Sequence, residues 1–353
     1  MTERKRANET TPEEHSGGGP TSANRNVVGI ELTPEHPAAR IGACGALAEE
    51  AGFDTAFVSC HYNNRDPFAA LSEIARRTDS LRVGPGVANP YETHPVALAS
   101  RVATLDELSD GRAVFGIGAG DASTLSNLGY ERDRPLRRVL ESFKVAQDLW
   151  AGERVNHEGT FTAIDAGLNY EVGSIPVYVG AQGPHMIRMS AKHADGVLLN
   201  AAHPDDFAWA AERVEQGLAE RPESRGPFDF AAFASLSVAE DGDAAREAAR
   251  PPVAFIAAGA APPVLERHDL DGELAGEIGE HIGAGAFSEA FSLVSEEMID
   301  AFCIAGTPGT VERRVREISA YTDGFVVGSP LGPDIEAAIS LAGAAIDRAY
   351  REG

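Results

Sequence analysis

From Val27 to the C-terminus, short apolar runs alternate with longer stretches whose apolar residues recur every three or four positions. That alternation restricts the fold more than any other feature of the chain. Strand-length runs fall at 27–32, 55–59, 81–88, 113–117, 176–180, 196–200, 230–238 and 324–328. They are rich in Val, Ile, Leu and Phe. Several are apolar on both faces, as strands of a helix-covered parallel sheet must be. Helical periodicity fills 38–51, 95–108, 136–150, 184–193, 205–220, 311–321 and 335–350. The second of these stretches stops at Asp110-Gly111, a good helix-ending pair. Eight strands alternating with helices predict an α/β protein, a (β/α)8 TIM barrel with insertions. The runner-up is a Rossmann sheet, for which six strands would suffice.

Two stretches exceed a minimal barrel. The sequence predicts a hairpin over 157–170 and an Ala/Gly-rich helical insertion at about 257–294, before the eighth strand. Residues 1–26 are polar, contain Gly17-Gly18-Gly19-Pro20 and have no apolar core of a signal peptide. A disordered tail is expected there, followed by a single barrel domain over 27–353.

The chain carries 54 acidic against 30 basic residues, a net charge of −24, and its only lysines are Lys5, Lys144 and Lys192. So acidic a surface repels phosphate backbones and anionic lipids, so neither nucleic acid nor membrane is an expected partner. It suits multimolar cytosolic salt, where short screening lengths quench self-repulsion. A GC-rich genome is the plainer source of an Arg-over-Lys bias. Cys44, Cys60 and Cys303 are odd in number and widely spaced, which argues against a disulfide framework or zinc knuckle and for a reducing cytoplasm. No metal site is expected.

In a barrel of this kind, reactive groups sit where strands end and loops begin. Glu31 lies inside the first apolar run. A buried carboxyl must find a partner or protonate, so Glu31 is either a general acid or a structural carboxylate held by a neighbouring arginine. The second run ends Ser59-Cys60-His61-Tyr62-Asn63-Asn64, a crowd of hydrogen-bonding side chains. The third reads Gly84-Pro85-Gly86-Val87-Ala88-Asn89-Pro90-Tyr91, whose glycines and prolines suit a bulge or a close approach to a ligand. The fourth enters Gly116-Ile117-Gly118-Ala119-Gly120-Asp121, where glycines could admit a flat ring beside Asp121. The fifth ends Gly180-Ala181-Gln182-Gly183-Pro184 at a helix start, which reads as a phosphate cradle or simply as a well-capped helix.

Together these junctions, with Ile304-Ala305-Gly306 and Val327-Gly328-Ser329-Pro330-Leu331-Gly332-Pro333, resemble one family. It is the coenzyme F420-dependent methylenetetrahydromethanopterin reductases of the bacterial-luciferase-like barrels, here of a haloarchaeal type. The resemblance implies that reduced coenzyme F420 delivers hydride to the methylene carbon of a tetrahydropterin, or of a tetrahydrofolate in its place. It further implies a non-prolyl cis peptide at Gly86–Val87 backing the deazaflavin and the cofactor's phosphate at Gly180–Gly183. The implied cofactor contacts are His61, Asn63, Gly86, Val87, Ala88, Asn89, Gly118, Gly180, Ala181, Gln182 and Gly183. Glu31 maps to the proton donor that opens the methylene-bridged ring, and Asp121 to a group that positions the substrate or stabilises its cation. Cys60, Ala88 and Ala119 depart from the family's common Asp, Thr and Pro; Cys60 is read as a packed thiol. A homodimer or homotetramer is the implied assembly. The alternatives are an FMN-dependent monooxygenase or another F420-dependent oxidoreductase on the same barrel, or a barrel that binds cofactor without turnover.

Overall fold

The computed structural model describes residues 27–351, so the expected tail at 1–26 lies outside the described residues. Eleven strands are assigned in chain order: β1 Val28–Leu32, β2 Thr55–Val58, β3 Arg82–Pro85, β4 Phe115–Gly118, β5 Val155–Glu158, β6 Thr162–Ala166, β7 Val177–Ala181, β8 Gly196–Asn200, β9 Asp229–Val238, β10 Ile304–Gly306 and β11 Gly324–Leu331. Eight of them run in the order β3-β2-β1-β11-β9-β8-β7-β4, and β10 pairs beside β9. The pairings of this sheet are parallel. Each strand-length run of the sequence contributes one strand of this barrel. A Rossmann sheet is therefore ruled out, because the two ends of the sheet meet.

They meet along a narrow seam. β3 and β4 touch through two isolated bridges, Val83 with Ala113 and Ala88 with Ile117. Val114 N donates to Val83 O at 2.9 Å, and Gly118 N to Ala88 O at 2.9 Å. Between these bridges the chain from Gly84 to Val87 forms no ladder with β4, although Gly84 and Pro85 stay paired with β2, and the Gly86–Val87 peptide is cis. The third strand is accordingly shorter than its apolar run suggests. A Cβ at Gly116 would overlap the Pro85 carbonyl oxygen, and one at Gly84 the Val114 oxygen, so only glycine lets the two backbones come this close.

Alternation along the strands sorts two cores. Ile30, Leu32, Val58, Ile117, Val197 and Val327 face outward against the helices. Val27, Phe57, Val114, Tyr178, Leu198, Ala231 and Val326 fill the barrel interior. The helices match the sequence periods closely: Pro95–Leu108 and Pro184–His193 coincide with them, and Asp110 and Gly111 take positive φ where the stop signal stands. Helices Ala122–Asn127, Glu296–Phe302, most of Gly242–Gly259 and Pro67–Arg77 are not marked by the periodicity; the buried stripe of Pro67–Arg77 is only Ala70, Leu71, Ile74 and Ala75. The signal for that helix was a start signal, since Asp66 caps it at Ala69 N and Pro67 opens it. β5 and β6 form an antiparallel hairpin. Helices Gly242–Gly259, Pro262–Arg267, Gly272–Gly283, Phe287–Ser292 and Glu296–Phe302 lie between β9 and β10 and share a core around Val253, Ile278 and Met298.

The barrel floor carries a buried acid. Asp229 Oδ2 accepts from Tyr178 Oη at 2.7 Å and from Val27 N at 3.0 Å, while its Oδ1 is buried without a partner among the described residues. Burial pushes this carboxyl up to about 6. Because the folded-state value lies above the unfolded one, ionisation costs stability as pH rises through the window from about 4 to 6. D229N cannot ionise. Between pH 4 and 7.5 the wild type should therefore lose up to about 3 kcal/mol relative to D229N. Urea unfolding of both proteins at the two pH values tests this, and parallel behaviour of the two would refute it.

Candidate functional site

The C-terminal ends of the barrel strands form the mouth. Phe57, on β2, marks the layer at which the interior core ends. Above it the inward positions are small: Gly118 on β4, Gly180 on β7 and Gly328 on β11. The side chain of Val87 fills part of that space, since a Cβ at Gly118 would lie 2.7 Å from Val87 Cγ2 and one at Gly180 3.2 Å from it. Val87 and Phe233 are half-buried and pack on the interior core. Phe57 and Phe233 stand edge to face at 6.1 Å between ring centres. The mouth thus has a smooth apolar floor with backbone at its sides, the shape a flat ring system needs.

Glu31 points into this mouth and is 5% exposed. Its Oε2 accepts from Ser329 N at 3.0 Å, and its Oε1 accepts from Thr33 Oγ1 at 3.1 Å. Ser59 Oγ lies buried beside the carboxyl and, among the described residues, has no other partner. Gly328 leaves the room the carboxyl occupies; a Cβ there would stand 3.2 Å from Oε2. Burial raises the Glu31 pKa, against the opposing pull of the Ser329 N–H, the Ser59 and Thr33 hydroxyls and the charge of His61. Among the described residues no arginine hydrogen-bonds to it, so the alternative of an arginine-held structural carboxylate does not describe it there.

The other sequence-marked residues line the rim. His61 and Asn63 are exposed on the turn after β2. Cys60 packs against the outer core, with Sγ 3.6 Å from Val58 O, and burial pushes its thiol well above the ordinary range. That is the environment of an inert thiol, as the packed reading expects. Ala88 is buried in the seam. Asn89 folds its Oδ1 onto Tyr91 N and Glu92 N, at 3.1 and 3.0 Å, and gives its Nδ2 to Glu92 Oε1 at 2.6 Å. Asp121 is exposed and caps helix Ala122–Asn127 through Thr124 N at 2.7 Å. Burial alone would raise the Asp121 pKa, but its hydrogen bonds with Ser123 and Thr124 outweigh that and lower it. Ala181 is buried and Gln182 exposed, and Gly183 starts helix Pro184–His193 with no atom near its missing Cβ. A helix start with no side-chain cap is a place that can receive an anionic group.

The residues present therefore fit a flat cofactor with an anionic tail: an apolar floor at Val87, an uncrowded helix start at Gly183 and a buried carboxyl on β1. The junction motifs did not single out Thr33 or Phe233, whereas Gly328 stood in the motif at 327–333. Their only signal was alternation, which places Thr33 two positions beyond Glu31 and Phe233 on the inward face of β9.

Comparison with known proteins agrees with this geometry. The family described as luciferase-like monooxygenase matches residues 14–324. The 5,10-methylenetetrahydromethanopterin reductase of Archaeoglobus fulgidus is 43% identical over 321 residues, spanning 89% of this chain and 97% of that protein. The structure of the coenzyme F420-dependent tetrahydromethanopterin reductase from Methanopyrus kandleri matches with a TM-score of 0.84 at 39% identity, over 91% of this chain and 98% of that one. An F420-dependent secondary alcohol dehydrogenase in complex with an F420-acetone adduct shares the fold, with a TM-score of 0.75 at 19% identity over 93% of this chain and 100% of that chain. The chain belongs to the luciferase-like family and, within it, to the 5,10-methylenetetrahydromethanopterin reductases.

Proposed function

We propose that this protein reduces the methylene group of 5,10-methylenetetrahydromethanopterin to a methyl group at the expense of reduced coenzyme F420. The observation that carries the reading is the buried, hydrogen-bonded Glu31 carboxyl beside a smooth apolar floor. It occurs in a chain that is 43% identical to a curated reductase along nearly its whole length. When bound, coenzyme F420 supplies a hydride; the protein supplies orientation and a proton. Val87, Gly118 and Gly180 form the surface against which the cofactor's ring would lie. His61, Asn63, Gly86, Ala88 and Asn89 form the rim around it, and Gly180, Ala181, Gln182 and Gly183 the place for its phosphate. Burial disfavours the Glu31 carboxylate and so raises its pKa, and the proton it holds is the one given to a ring nitrogen of the carrier. Asp121, at the rim, faces solvent and would position the incoming carrier.

The net charge of −24 and the three lysines support a high-salt cytoplasm as the working environment. No helix among the described residues is long and apolar enough to cross a membrane. The resemblance to the reductases supports a homodimer or homotetramer, which sedimentation of the purified protein would resolve.

The direct test is an anaerobic assay with reduced F420 and either methylenetetrahydromethanopterin or methylenetetrahydrofolate. The expected result is growth of the violet absorbance of oxidised F420 with the pterin, in a one-to-one ratio with methyl product. Rates should be higher at about 3 M than at about 0.2 M KCl, since screening relieves the self-repulsion. No turnover with either carrier, together with oxygen uptake supported by FMN, would replace this reading with the monooxygenase.

A further inference from the structure

The two oxygens of Glu31 have unlike partners. Oε2 meets the Ser329 N–H at 3.0 Å, a group that can only donate. A proton placed on Oε2 would point at another proton, so that oxygen stays an acceptor in either ionisation state. Oε1 meets a hydroxyl, Thr33 Oγ1, at 3.1 Å, and a hydroxyl donates to a carboxylate yet accepts from a carboxylic acid. Thr33 is half-buried, between the mouth and solvent. Beside the same carboxyl lies Ser59 Oγ, buried and, among the described residues, with nothing else to bond. Buried hydroxyls are rarely left this way, and an uncommitted one next to an acid that changes ionisation during a reaction has an evident use.

We propose that Thr33 and Ser59 are positioning residues for the transferable proton, their hydroxyls keeping it on the Oε1 edge of Glu31 and stabilising the carboxylate once it has left. The assignment rests on the proposed role of Glu31 as the acid. The step is a proton transfer alone. The Glu31 O–H bond breaks, a nitrogen–hydrogen bond forms on the carrier, and the carboxylate is held by the Ser329 N–H and the two hydroxyls until water returns a proton. The titratable neighbours facing this carboxyl are His61 and Cys60, both beyond β2.

The test uses the full chain with T33V, S59A, the double variant and T33S. The carboxyl C=O band of protonated Glu31, identified by its loss in E31Q, is titrated by infrared difference spectroscopy without cofactor. Removing two donors to the carboxylate should move its midpoint up by about one to two pH units in the double variant, and T33S should restore most of the Thr33 share. In the holoenzyme the alkaline limb of kcat should move up by the same amount, with cofactor affinity unchanged. An unmoved infrared midpoint in the double variant, or T33S behaving like T33V, overturns the proposal. Should the double variant fail to fold, the singles carry the same readout at half the size. If E31Q retains full turnover, the role of Glu31 as acid falls instead, and the infrared midpoints still report on the hydroxyls independently.

Discussion

E31Q should turn over roughly a thousandfold more slowly than the wild type while binding coenzyme F420 within about twofold, because a positioned general acid contributes about 10²–10⁴ in rate. Gln has nearly the shape of Glu, and its amide oxygen can still accept from Ser329 N, so the mouth keeps its form. What it lacks is a proton to give. The pH dependence sharpens the expectation. Burial holds the Glu31 pKa above its ordinary value, so the wild-type rate should fall on the alkaline side as the acid ionises. The residual rate of E31Q should lack that limb. The same shift predicts that E31Q is not destabilised at neutral pH, since it removes a carboxylate that is costly to ionise when buried. Stopped-flow turnover and a cofactor titration on one preparation separate the outcomes. A variant that loses cofactor affinity with the rate constant intact would make Glu31 a binding residue and not an acid.

The second large effect is expected at the seam. G116A places a methyl group onto the Pro85 carbonyl oxygen, a backbone atom that cannot rotate away. Relief requires β3 and β4 to separate where only the Val83–Ala113 and Ala88–Ile117 bridges join them. A cost of about 3 kcal/mol or more is expected, with a drop in Tm of about 4 °C or more. Because Val87 sits between those bridges, cofactor binding should weaken with it. G183A is the matched control. Gly183 has φ −87° and nothing within 4 Å of its missing Cβ, so that change should alter stability by no more than about 0.5 kcal/mol. Equal melting of G116A and the wild type would mean that the barrel does not close through this contact.

Much of this was legible along the chain. The eight barrel strands and the helix boundaries at Pro95–Leu108 and Pro184–His193 follow from periodicity, because burial on two faces or on one stripe is written into residues close in sequence. Glu31 stood out because a carboxyl within an apolar run has few comfortable environments. The glycines before Asp121 and around Gln182 were visible as well, although not which space they open. Helix Pro67–Arg77 escaped because its stripe is short and its cap, Asp66-Pro67, adjoins a polar cluster that reads as loop.

By itself, then, the sequence determined the order and type of the barrel strands, most of the helices that cover them and the presence of one ill-placed acid, since these depend on interactions spanning a few residues. Only the tertiary structure decided what surrounds that acid. Ser329 N reaches Glu31 from 298 positions away, Ser59 arrives on the adjacent strand, and Val87 fills the space left by Gly118 and Gly180. The physical reason is closure. Rolling the sheet until β4 meets β3 brings distant inward-facing residues to one mouth, and that register is set by strand tilt and backbone contact, which no local pattern encodes.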